Sequence, residues 1–172
     1  MKIQTAAVAI TLNNGELAVM QFITQGRGNH LPIGAQWVTE DQWTREPSED
    51  NIKSEVLKTF KGHVEQPVSW RIISNDMLPV DRTYRAAWVD VAGVIAHDMN
   101  KARDIHRDLI RRARVPKLAT LDAAYMRATE EGSDIAKIVE AKNVLRDLPA
   151  DSAIDAAQTI EQLKSFWPED LI

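Results

Sequence analysis

The sequence predicts an α+β protein, a small β-rich N-terminal unit (hairpin, helix, strand) followed by a C-terminal α-helical hairpin. Three observations carry that expectation. Apolar runs flank Asn13-Asn14-Gly15, a turn signal in which Asn-Gly supplies the positive-φ positions of a tight hairpin. From Met99 onward, apolar residues recur every three or four positions, the period of a helix. The period changes across residues 91–98, a segment that contains Gly93. Residues 1–92 are therefore expected to form an α+β domain and residues 93–172 a helical hairpin domain.

The opening strands are expected at residues 5–12 and 16–24. Val8, Ile10 and Leu12 share one face of the first, whereas the second is apolar on both faces, which predicts that it lies inside the sheet. The following GRGNHLPIGAQWVTEDQW gathers glycines and a proline around Trp37 and Trp43, and reads as loop with a short strand at 35–38. Ser48 is placed to cap a helix with an acidic first turn, along which Ile52, Val56 and Phe60 recur until Gly62 ends it. Residues 68–74 then alternate, Val68, Trp70 and Ile72 against Ser69, Arg71 and Ile73, as a half-buried strand does.

In the back half, Ala102, Ile105, Leu109 and Ala113 form one helical stripe, and Leu118, Leu121, Tyr125 and Ala128 a second. The stripes are roughly 140° out of phase, and Pro116 falls in the step between them, so a kink or break is expected there. Gly132-Ser133 is expected to stop this helix and cap the next, whose stripe runs through Ile135, Ile138, Ala141, Leu145 and Leu148. A short helix follows near 152–158, and Thr159 with Gln162 forms a capping-box pattern opening a last one.

At 172 residues, with 44% hydrophobic and 27% charged residues, the composition is that of a folded chain rather than a disordered one. A net charge of −4 argues against nucleic acid as a partner. There is no cysteine, hence no disulfide or thiolate chemistry, and no apolar run approaches the ~20 residues of a membrane span. The short AAVAI run near the N-terminus does not match a secretion signal, and a cytosolic product is expected.

No catalytic, cofactor-binding or metal-binding residues can be assigned. His97 and His106 lie near Asp98, Asp104 and Asp108, but histidines nine apart on a helix do not share a face, so this reads as a solvated surface. His30 and His63 have no ligand-spaced partner. GRGNH lacks the lysine and hydroxyl of a phosphate loop. No serine sits in a nucleophile-elbow pattern.

What remains are aromatic and arginine residues. Arg103, Arg107, Arg111, Arg112, Arg114 and Lys117 form a dense basic row; Asp104 and Asp108 at helical spacing favour a solvated, ion-paired face, with a protein-partner surface second and a local nucleic-acid contact third. Trp88 stands beside Arg82, Tyr84 and Arg85, the residue types that anchor interfaces. The expected partner-binding set is Arg82, Tyr84, Arg85, Trp88, Arg107, Arg111, Arg112 and Arg114. A hairpin with such modest stripes is also expected to need a partner to bury its second face.

The succession SWRIISNDMLPVDRTYRAAWVD, DMNKARDIHRDLIRRARVPKLATLDAAYMRATEEG and KNVLRDLPADSAIDAAQTIEQLKSFWP resembles small proteins encoded among the tail genes of phages and prophages of proteobacteria. Some of these are similar to tail-fibre assembly chaperones, whose C-terminal part is a helical hairpin ending near a Leu-Arg-Asp stretch and a Trp-Pro. The sheet-forming front half has no counterpart there. The resemblance implies a non-enzymatic virion or tail-assembly protein that binds other phage structural proteins as a homo-oligomer or hetero-complex, in the host cytoplasm during assembly or in the particle. No cofactor is expected, and the net charge and the lack of a long apolar run speak against nucleic acid and membrane as partners. A small phage-encoded regulatory protein that inhibits a host protein is the alternative.

Overall fold

The computed structural model describes residues 5–27, 31–32, 34–40 and 42–171. The chain is α+β, with small sheets in the front half and a long helical region behind. Two compact units divide it, one of Met1–Thr83 with Trp88–Ala96, the other of Tyr84–Ala87 with His97–Ile172. Residues 92 and 93, expected to divide two domains, form instead the turn of a hairpin inside the first unit.

The first unit is built on β1 (Thr5–Leu12), β2 (Leu17–Ile23) and β6 (Pro67–Ile73), an antiparallel sheet in the order β2-β1-β6. β2 is thus an edge strand, not an inner one. It is apolar on both sides because both faces of the sheet are covered along β1 and β2. Val8, Ile10, Ala18, Met20, Phe22 and Trp70 pack on Ile52 and Val56 of α1 (Glu49–Thr59). On the opposite face, Ala7, Ala9 and Ile73 pack on Leu78, Trp88 and Ile95. Trp88 and Ile95 come from β7 (Trp88–Val91) and β8 (Val94–His97), a hairpin whose Ala92-Gly93 turn has φ of 50° and 90°. Both signs are positive, as a tight hairpin turn requires, although Ala92 carries a Cβ. β1 is the central strand, buried on both faces, and the small side chains of Ala7 and Ala9 leave room for the indole of Trp88.

A second antiparallel sheet, β3-β5-β4, joins β3 (Gln25–Arg27), β5 (Gln42–Arg45) and β4 (Ala35–Trp37). Most of this stretch reads as loop in the sequence, with β4 alone expected. Residues 28–30 of GRGNH, His30 among them, lie outside the described residues. Gly26 pairs with Trp43, and a Cβ there would stand 2.5 Å from the indole, which explains the glycine. Arg45 is buried, with its guanidinium 3.8 Å from the Phe22 ring centre, 2.8 Å from the Ile23 carbonyl and 2.9 Å from Glu55 of α1. Three satisfied interactions offset the cost of burying that charge.

In the second unit, α2 (Met99–Glu130) runs as one helix of 32 residues, capped by Asp98 and continuous through Pro116. The expected break is absent because the buried stripe differs from the expected one. Ala102, His106 and Ile110 are its buried residues. With ~100° per residue, Lys117, Leu121, Ala124 and Ala128 lie within about 100° of them, so there is no phase step to correct. Pro116 is on the exposed side, where the lost hydrogen bond costs least. Gly132, at φ 66°, ends α2, with Ser133 N–H donating to Ala128. Asp134, not Ser133, accepts from Ala136 at the start of α3 (Ala136–Asp147). α4 (Ser152–Ala156) and α5 (Ile160–Ser165) complete the unit, α5 with Thr159 accepting from Gln162 N–H as expected.

Candidate functional site

The two aromatic members of the expected partner-binding set are core residues. Tyr84, 2% exposed, belongs to the cluster of Ala102, Ile110, Ile154 and Leu163 in the second unit; Trp88, 6% exposed, belongs to the sheet core of the first. Their aromatic surface is used inside the fold. Arg82 and Arg85 are exposed on either side of Tyr84.

The basic row of α2 divides by direction. Arg107 pairs with Asp104 at 3.0 Å and with Asp155 of α4, and these carboxylates hold its proton more firmly than usual. Arg103 donates to the Ala157 carbonyl at 2.8 Å. Arg114 donates to the carbonyls of Leu145 at 3.1 Å and Arg146, neutralising the negative end of α3. These three arginines tie α2 to the segments that return along it. Arg111 pairs with Asp108 at 2.6 Å on an exposed face, and Arg112 is exposed beside it.

His106 belongs to the core rather than to a solvated face, and His97 ends strand β8, so the two share no helix. His63 is exposed near the ring of Phe60. Among the described residues, no group of three His, Asp or Glu side chains is placed to hold a metal ion, and no helix is long and apolar enough to cross a membrane.

An open apolar surface lies between α3 and the C-terminal half of α2. α4, α5 and the 3-10 turn Arg85–Ala87 supply the core over the N-terminal half of α2, around Ala102 and Ile110; beyond Arg114, α3 is the neighbouring helix. Two helices side by side cannot close over one another's apolar stripes. A groove of about 660 Å³ results, lined by Leu121, Ala141, Val144 and Leu145. Lys117 and Lys137 stand along it with Glu140. Val144 is 46% exposed, while Leu145 beneath it is buried. On the other side of the pair, Lys142 bridges to Asp122 and lies 5.0 Å from the Tyr125 ring centre, locking α3 onto α2. The sequence carries this groove only indirectly, as two helical stripes with no third to cover them.

No protein-family model, no curated protein and no solved structure matches the chain.

Proposed function

We propose that this chain is a non-enzymatic phage virion or tail-assembly protein that works by binding other phage structural proteins. The resemblance of its 69–90, 98–132 and 142–168 segments to tail-gene products supplies the setting, and the α2–α3 groove is the observation that carries the binding role. An apolar floor flanked by Lys117 and Lys137 suits an amphipathic helix whose anchors recur at three- and four-residue spacing and whose flanks are acidic. The helical pair is stiffened from outside the groove, by Lys142 with Asp122 and by Arg114 on the end of α3, so it presents a formed surface.

Deletion of the gene from its phage, with mass spectrometry of purified wild-type particles, tests this reading. The expected outcome is either stoichiometric copies of the chain in the particle or loss of tails or tail fibres in its absence. Fully infectious deletion particles, together with wild-type particles that lack the chain, would overturn it.

A further inference from the structure

We propose that the chain forms a two-fold dimer by antiparallel pairing of β6 with β6 of a second copy, making one continuous six-stranded sheet. Among the described residues, β6 pairs with β1 along one edge and with no strand along the other. An open edge presents a row of backbone donors and acceptors, and an extended strand is what completes it. Edges of monomeric sheets are normally blunted by lysines, inward charges or prolines. In β6, Pro67 stands only at the first position, and the one charge, Arg71, is tied down within its own unit, 2.8 Å from Asp90 and 2.8 Å from the Gly93 carbonyl.

The side chains beside that edge are apolar. Val68 is 62% and Ile72 50% exposed, and both share the α1-side face of the sheet with Trp70. The expected burial of this face is met only at Trp70, which is half-buried; the row flanking it is open. α1 lies over the β1–β2 side, where Glu55 reaches Arg45 and Thr59 reaches Met20.

The sequence of β6 says which strand fits. A two-fold axis perpendicular to a sheet passes between two copies of one residue, and all seven residues of Pro67–Ile73 are paired only if that residue is the midpoint, Trp70. Val68 then faces Ile72 of the second copy, twice, and Trp70 faces itself, so the apolar row is continued across the junction. Ser69 faces Arg71, and no like charges oppose. Moving the axis to Arg71 would set two guanidinium groups opposite each other, a destabilising arrangement. Aromatic and β-branched cross-strand pairs are the ones that stabilise sheets.

The chain contains no cysteine, so engineered thiols report the register without background. Opposed residues have Cα atoms about 4.5–5.5 Å apart, within disulfide reach, whereas Val68 and its own copy would be offset by four residues. The experiment is made on the full isolated chain with no tail protein present, so it stands or falls apart from the function proposed above. Sedimentation equilibrium should find a dimer. Mild oxidation should link the Val68→Cys/Ile72→Cys variant into covalent dimers far faster than either single variant. Val68→Lys, at an exposed position, should weaken dimerisation at least tenfold with an unchanged circular dichroism spectrum. A chain that stays monomeric at high micromolar concentration overturns the proposal; so does a dimer in which the double variant links no faster than the single ones, which would place the contact elsewhere.

Discussion

The hydroxyl of Tyr84 lies 2.8 Å from Nδ1 of His106, and Nε2 of the same ring lies 2.8 Å from the Phe166 carbonyl. A carbonyl only accepts, so Nε2 carries the hydrogen and the bare Nδ1 accepts from Tyr84. The ring, 1% exposed, is edged by Trp167 and joins α2 to the chain's C-terminal segment. Burial holds its pKa below the ordinary 6.5, against an opposing contribution from the Phe166 carbonyl. Because the folded state disfavours the imidazolium, the unfolded chain binds more protons as the solution is acidified. The stabilisation is therefore complete above pH 6.5 and is lost as pH falls through the lower folded value. Thermal unfolding between pH 7 and pH 5 should show wild type losing stability faster than His106→Leu, which cannot titrate; parallel profiles would mean that His106 is not the responsible group.

Trp88 fills the space above Ala7 and Ala9, so Trp88→Ala should cost about 3–5 kcal/mol in urea unfolding, whereas Arg85→Ala should stay within ~0.5 kcal/mol. A Trp88→Ala chain of native stability would contradict its core placement.

Gly26→Ala should destabilise by about 1–3 kcal/mol, because the added methyl meets the Trp43 indole at 2.5 Å. Pairing it with Trp43→Leu should recover part of the loss. Additive losses in that double variant would mean that the glycine is required for its backbone and not for the space it leaves.

Leu145 is buried between α2 and α3, while Leu121 lines the groove and is half-buried. Leu145→Ala should therefore cost about 2–4 kcal/mol and Leu121→Ala less, as a partly exposed side chain leaves a smaller cavity. Equal costs would mean that the groove is closed in solution.

The elements legible in the sequence are those with local signals: the Asn-Gly hairpin, the Ser48 and Thr159 caps, the glycine stop at Gly132. What was not legible depends on distant partners. β3 and β5 are three and four residues long and are stabilised by each other and by Trp43 over Gly26, with no alternation to reveal them. The β7–β8 turn uses Ala92 where Asn would signal a hairpin. His106 is the instructive case. Counting it as polar shifts the apparent stripe of α2 and creates a false break at Pro116; counted as inward, the stripe is continuous. Nothing local announces that Tyr84 and Phe166 will satisfy it. Tyr84 and Trp88 of the expected partner-binding set lie in cores for a related reason, since aromatic residues are as useful to a core as to an interface. The groove was foreshadowed only as a hairpin with one face too many.

The measurement closest to the proposed binding role is titration of the purified chain with the tail proteins of the phage proposed to encode it, comparing wild type with Val144→Glu. Val144 is nearly half exposed, so the substitution should leave the melting temperature within a few degrees while placing a carboxylate on the apolar floor of the groove. The expected result is a complex with one of those proteins whose affinity falls at least tenfold in the variant. Undiminished affinity in Val144→Glu, or no complex with any tail protein, would contradict the assignment of the groove as the binding surface.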